Sequence, residues 1–146
     1  MVTGNGTGPE EVGGPTETGQ VSGPANPGTG SGYFTENLGQ WKGDFRFSAL
    51  TDFGITYLLE DGVVHQTAST GGSVMITFQR SLPSEPQGKD DTGFPTNFFI
   101  GSDPDNWLTG ARSFERVIYR DVWSNIDIEY YFRGSALKYD IIVHPG

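Results

Sequence analysis

The chain lacks cysteine entirely, and its N-terminal segment lacks aromatic and basic residues. The absence of cysteine excludes disulfides, thiol catalysis and zinc sites with thiolate ligands. No apolar stretch reaches the ~18 residues of a membrane-spanning helix, so no membrane insertion is predicted. The N-terminus also lacks a basic segment followed by an apolar run, so no signal peptide is evident.

Basic side chains are scarce throughout the chain. Among 146 residues, nine are Lys or Arg and 18 are Asp or Glu, which gives a net charge of −9. An acidic surface repels phosphate backbones, so a nucleic-acid partner is not expected. Anionic membrane surfaces are disfavoured for the same reason, whereas the acidity favours solubility.

Residues 1–32 differ in composition from the rest of the chain. They contain ten Gly and four Pro but no aromatic residue. Such a segment has too little apolar surface to offset the entropy of ordering, so it is predicted to be a flexible tail or linker. The folded domain is predicted over 33–146. Within the tail, Asn5-Gly6-Thr7 fits a glycosylation sequon, which makes Asn5 a candidate glycosylation site.

Apolar residues alternate with polar ones from residue 33 onward, and this period of two indicates β-strands. Hairpin turns are predicted at Thr51–Gly54 and Gly134–Ser135, a strand over 113–123, and loops over 81–93 and 102–111. No helix of ten or more residues is evident. The pattern predicts an antiparallel β-sandwich or partly open barrel of eight to nine short strands.

Asp127 and Glu129 project from one face of a predicted strand, with Cβ atoms ~7 Å apart. Glycosidases place two carboxylates roughly 5–10 Å apart, so this pair raises the hypothesis of a hydrolase. Catalytic pairs usually come from different strands, however. We expect the pair to form ordinary cross-strand contacts with Arg133, Lys138 and Asp140 on a solvent-facing sheet. No catalytic residue is therefore predicted.

A second cluster of oxygen ligands lies in the loop at 101–106. Asp103, Asp105 and Asn106 make a partial match to a calcium site, although these residue types also form turns. Calcium is the one cofactor considered possible, because His65 and His144 belong to no zinc-binding motif. No nucleophile elbow of the Gly-x-Ser-x-Gly type is present.

Aromatic residues are abundant, with three Trp, six Tyr and ten Phe. Trp107 and Trp123 are the candidate interaction residues, because an exposed indole can stack on a sugar or anchor a protein contact. The alternative is that these rings fill the core. Most of them fall at inward-facing positions of the alternating pattern, which favours this alternative.

Three ordered motifs resemble a known family. They are "YFTENLGQW" at 33–41, "YRDVWSNIDIEYYF" at 119–132 and "LKYDIIVHPG" at 137–146. The resemblance is to the uncharacterised N-terminal β domain of bacterial and archaeal cell-surface proteins that carry SBBP repeats or PKD-like domains. It implies an all-β module in an extracellular or cell-surface setting, and it supplies no catalytic residues.

These observations predict a non-catalytic extracellular module for structure or adhesion. Because the sequence ends directly after a predicted strand, we expect an exposed sheet edge, and open edges recruit other chains. The expected partners are further copies, as in a self-assembling surface filament, or other surface-protein domains. A carbohydrate-binding module with a glycan ligand is the alternative, and a glycoside hydrolase is the less favoured one.

Overall fold

The computed structural model describes residues 32–99 and 102–146. The tail over 1–32, Gly32 excepted, and the candidate Asn5 lie outside this part. The described residues form a short 3-10 helix (Pro104–Asn106) and eleven strands: β1 (Phe34–Glu36), β2 (Phe45–Thr51), β3 (Gly54–Leu59), β4 (Gly62–Thr67), β5 (Ser73–Thr77), β6 (Gln87–Asp91), β7 (Thr96–Phe98), β8 (Leu108–Ala111), β9 (Ser113–Trp123), β10 (Ile126–Arg133) and β11 (Ala136–Val143).

Nine strands form one curled antiparallel sheet, a half-barrel. Its order is β11-β10-β9-β1-β2-β3-β4-β5, and β6 pairs with β9 off this path. Strands β7 and β8 form a separate two-stranded sheet. The predicted all-β fold is confirmed, with eleven strands in the described part rather than eight or nine. Within the same residues, no helix is long and apolar enough to cross a lipid bilayer.

The two predicted hairpins and the strand over 113–123 are confirmed. Thr51 pairs with Gly54, and Arg133 pairs with Ala136. Gly134, at φ 64°, occupies the first central position of its two-residue turn. A positive φ is expected there for the turn types that match the twist of paired strands.

The predicted loops over 81–93 and 102–111 are partly wrong. The first contains β6 and the second contains the 3-10 helix and β8. Strand β6 has the polar sequence QGKDD, so side-chain alternation gives no signal. It forms because β9 offers backbone partners along its edge, where Gln87 pairs with Ile118 and Asp91 with Phe114. Before β6, the Leu82 N–H donates to Val122 O at 2.8 Å.

A large apolar core lies inside the curl of the nine-stranded sheet. Tyr119 of β9 is fully buried, and its hydroxyl donates to Leu59 O at 2.7 Å. Its ring makes edge contacts with Phe78 and Tyr130, at centroid distances of 5.1 and 6.0 Å. Because Leu59 ends β3, this tyrosine joins strands that are distant in the order of the sheet. Burial raises the pKa of the Tyr119 hydroxyl, which therefore remains a donor.

A smaller core attaches the β7–β8 sheet. Trp41, Phe45 and Tyr57 are buried together, and Phe98 of β7 packs against them. The Trp41 and Phe98 rings meet edge to face at 4.9 Å between centroids. Such offset aromatic contacts add to the stabilisation from burial.

Together with Gln40, Asn37 organises the loop after β1. Its Nδ2 donates to Trp41 O and Phe45 O, both at 3.2 Å. Its Oδ1 accepts from the N–H groups of Gly39 at 3.1 Å and Trp41 at 3.3 Å. The segment "ENLGQW" therefore has a structural explanation, because these bonds position the buried Trp41.

Replacing Asn37 with Ala is expected to lower the free energy of unfolding by about 2–3 kcal/mol, because several backbone groups lose their partners. Asn37→Asp keeps the acceptor oxygen but sets a second carboxylate oxygen against Trp41 O and Phe45 O, so a loss of about 2 kcal/mol or more is expected as well. Chemical denaturation of the three proteins measures both effects. Equal stability of Asn37→Ala and the wild type would contradict this role.

Candidate functional site

The outer face of β10 carries the two carboxylates that the sequence analysis singled out. Asp127 and Glu129 are only 4% and 5% exposed. The prediction that they lie on a solvent-facing surface is therefore wrong. Asp140 stands opposite Glu129 as predicted, but the ion pairs expected from Arg133 and Lys138 are wrong, because the cations come from β6 and β9 and His144 after β11 adds a hydrogen bond.

Glu129 connects three strands. Its Oε1 accepts from Lys89 Nζ of β6 and its Oε2 from Arg116 NH1 of β9, each at 2.9 Å. Arg116 also pairs with Asp90 at 3.3 Å and lies 5.8 Å from the ring centroid of Tyr131. Burial acts to raise the pKa of Glu129, but the bonds and charges of Lys89 and Arg116 outweigh it, and the pKa is lowered.

Asp127 stabilises a bulge in β9. The register shifts there. The step from Tyr119 to Trp123 in β9 lies opposite the shorter step from Ile128 to Ile126 in β10. Asp121 in the bulge has a φ of 49°, a conformation that Asp tolerates better than most residues. Its N–H donates to Asp127 Oδ1 at 2.7 Å, which gives the displaced amide a partner.

The second oxygen of Asp127 binds the C-terminal segment. His144 Nε2 lies 2.8 Å from Oδ2 and donates to it, because an ionised carboxylate only accepts. Arg120 NH1 lies 3.9 Å from the same oxygen. Burial acts to raise the pKa of Asp127, but the Asp121 N–H, His144 and Arg120 together lower it.

These two carboxylates lack the electrostatics of a glycosidase pair. A general acid needs a raised pKa, and a retaining or inverting pair flanks a cleft. Here both pKa values are lowered, both residues lie on β10, and each carboxylate is engaged by cations. The arrangement can hold strands together, and the lowered pKa values do not suit either carboxylate to the role of general acid.

The candidate calcium ligands begin the 3-10 helix. Asp103 Oδ1 accepts from the Asp105 N–H at 3.1 Å, and Pro104 occupies the first turn. The turn-forming role is thus visible for Asp103, while the side chain of Asn106 is outside the described set. No group of three or more acidic or histidine side chains is placed to hold a metal among the described residues. A calcium site here stays a prediction.

The two candidate tryptophans lie in different environments. Trp107 is 40% exposed and meets the exposed Phe99 edge to face at 5.2 Å. Trp123 is half-buried, packs against Phe78 at 6.2 Å, and donates its Nε1–H to Gln79 O at 3.0 Å. Trp107 is therefore the more exposed of the two, and the indole of Trp123 is engaged in the fold.

Sequence reasoning missed the most exposed apolar feature of the large sheet. Tyr139, Ile141 and Val143 of β11 are 59%, 58% and 69% exposed. They stand opposite Tyr130, Ile128 and Ile126 of β10, so they continue the core-facing side of the sheet. Among the described strands, β11 pairs only with β10. We call these three side chains the β11 apolar row.

Comparison with protein families matches residues 34–146 to a domain of unknown function, DUF7948. The chain belongs to this family. Neither the curated proteins nor the solved structures gave a match. The DUF7948 match spans all eleven strands and includes both buried carboxylates, Trp107 and the β11 apolar row. It gives no link to SBBP or PKD proteins, so that finer resemblance stays a prediction.

Because the pKa values of the two buried carboxylates are lowered, we expect the fold to lose stability in acid. The folded pKa values of Asp127 and Glu129 lie below their ordinary values of 3.8 and 4.5. The unfolded chain therefore takes up protons first as the pH falls. The stabilisation is fully present above the ordinary values and is lost as the pH falls through the lower folded ones.

Replacing Glu129 with Gln is expected to cost about 1–3 kcal/mol at neutral pH and to flatten the fall in stability between about pH 5 and pH 3. Denaturant unfolding across this pH range measures both. The control is Glu115→Gln, since Glu115 is exposed on β9 and makes no ion pair within residues 32–99 and 102–146. An identical pH profile for Glu129→Gln and the wild type would contradict the assignment.

Proposed function

We propose that this DUF7948 domain is a non-catalytic structural or adhesion module of the cell surface or extracellular space. It works by binding a β-strand of another subunit or surface-protein domain along β11. The observation that carries the proposal is the β11 apolar row on a strand that pairs only with β10 among the described strands. Three adjacent apolar side chains on one face of an edge strand are exposed by more than half.

Edge strands present backbone N–H and C=O groups to any extended chain that approaches them. An added strand gains main-chain hydrogen bonds, and the alternate side chains supply specificity. Single exposed apolar residues are ordinary, whereas a contiguous row marks an interaction site. The opposite margin of the sheet, β5, exposes Val74 and Ile76 at 58% and 44% and is the nearest equivalent.

The cell-surface setting rests on the resemblance of the three motifs to the N-terminal β domain of SBBP-repeat and PKD-containing surface proteins. Assembly into a surface filament is one form of the same activity, since it requires strand edges that bind further copies.

A carbohydrate-binding role is the second candidate, and the exposed Phe99–Trp107 pair favours it. Two rings that meet edge to face can present one indole face to a sugar. Trp107→Ala is expected to abolish glycan binding at this pair and to leave the fold intact, because the ring lies outside both cores. A glycan array with the wild type and the variant tests this, and an array on which the wild type binds nothing would remove the candidate.

The adhesion role predicts that beads coated with the domain cluster with each other or attach to cells of the source organism. Ile141→Lys places a charge in the middle of the β11 apolar row and is expected to reduce adhesion by ~10-fold or more, since it replaces buried apolar contact with a charge that must be desolvated. Counting bead clusters and attached beads measures the effect.

The matched control is Val74→Lys on β5, which alters a side chain of the same 58% exposure at the other margin of the sheet. It is expected to leave adhesion unchanged. Adhesion that falls equally for both variants, or wild-type beads that neither cluster nor attach, would contradict the proposal.

A further inference from the structure

We infer that the strand which binds β11 is β11 of a second copy of this chain, antiparallel to it, on a two-fold axis through Tyr139. This inference rests on the proposed function and names its partner. It is carried by the charges on the outer face of β11 together with the β11 apolar row.

Lys138 and Asp140 are exposed on the outer face of β11, on either side of Tyr139. Antiparallel strands that cross on a two-fold axis at Tyr139 place residues an equal distance before and after it opposite one another. Lys138 then faces the partner subunit's Asp140, and Asp140 faces the partner subunit's Lys138. Opposite charges directly across a pair of strands are stabilising, so this register forms two favourable pairs at once.

Neither charge is satisfied within the described part of one chain. Lys138 makes no ion pair among residues 32–99 and 102–146, and Asp140 accepts only a hydrogen bond from Tyr131 at 3.2 Å. Asp140 also stands opposite Glu129 of β10, whose two oxygens are already bound by Lys89 and Arg116. A lysine on the outer side of Asp140 would supply the cation that this aspartate lacks within the described residues.

The other face of β11 is complementary in the same register. Tyr139 faces the partner subunit's Tyr139, and Leu137 faces the partner subunit's Ile141. Because paired residues share a face, the two apolar rows join into one surface on the core-facing side. The exposed fractions of Tyr139 and Ile141, which are 59% and 58% in the single chain, would fall on contact with the partner.

Registers shifted by one residue lack this charge complementarity. An axis one residue later places Asp140 opposite the partner subunit's Asp140. An axis one residue earlier places Lys138 opposite the partner subunit's Lys138. Like charges directly opposite each other are destabilising. Pairing of β11 with β5 would leave Lys138 and Asp140 without partners, because β5 has the uncharged sequence SVMIT.

Charge reversal tests the register. Lys138→Asp places acids opposite acids, and Asp140→Lys places lysines opposite lysines. Each is expected to raise the dissociation constant of the dimer by ~10-fold or more, since two pairs turn repulsive at once. An equimolar mixture of the two variants restores both pairs and is expected to form heterodimers as tight as the wild-type dimer. Sedimentation equilibrium measures all four samples, and circular dichroism confirms that each variant is folded.

A disulfide reporter tests the axis itself, and the absence of cysteine from the chain makes it unambiguous. Paired Cα atoms in antiparallel strands lie ~4.5–5.5 Å apart, within the range of a disulfide. Tyr139→Cys is therefore expected to form a covalent dimer on mild oxidation. Ile141→Cys is the control, because the two Cys positions would lie about 14 Å apart in this register.

A wild type that stays monomeric, single variants that dimerise as well as the wild type, or a mixture that fails to restore dimerisation would each overturn the inference. So would a disulfide at Ile141→Cys in place of Tyr139→Cys. A monomeric protein whose coated beads still attach to cells through β11 would overturn the inference alone and leave the proposed function standing.

Discussion

Strand β9 supplies backbone partners to three other strands, β10, β6 and β1, and the rest of the fold depends on it. Its regular part places Tyr119 at the centre of the core, where the hydroxyl bonds to Leu59 O across the curl of the sheet. Its irregular part, around Asp121, would leave a displaced amide without a partner if Asp127 did not accept from it. One buried carboxylate thus stabilises the bulge, and a second, Glu129, joins β10 to β9 and β6.

The sequence allows the regular part of this architecture to be predicted. Side chains that alternate in and out report the period of a strand, and Gly134 reports a turn that needs a positive φ. Strand β6 could not be predicted in this way, because its side chains are all polar or absent. It is held by backbone pairing with β9 and by the ion pairs of Lys89 and Asp90, and neither leaves a periodic apolar signal in the sequence.

The two carboxylates show a different limit. Their spacing predicted correctly that both side chains lie on one face of a strand. It did not predict that they are buried. Lys89 lies 40 residues before Glu129, and no local pattern indicates that β6 will bring it there. The exposure of the β11 apolar row could not be predicted for a similar reason. Alternation predicts which side chains share a face, but whether another strand covers that face depends on the order of the strands in the sheet.

The buried carboxylate and the exposed edge are physically connected. His144 follows β11 directly, and it is held twice: its ring donates to Asp127, and its N–H donates to Asn125 O at 2.8 Å. The C-terminal end of β11 is therefore fixed to the β9–β10 turn instead of fraying. A strand that is already ordered loses less conformational entropy when another strand pairs with it, so its affinity for a partner is higher. In the proposed dimer, the hydrogen bond from His144 to Asp127 therefore keeps the end of the apolar edge ordered for pairing with the second copy.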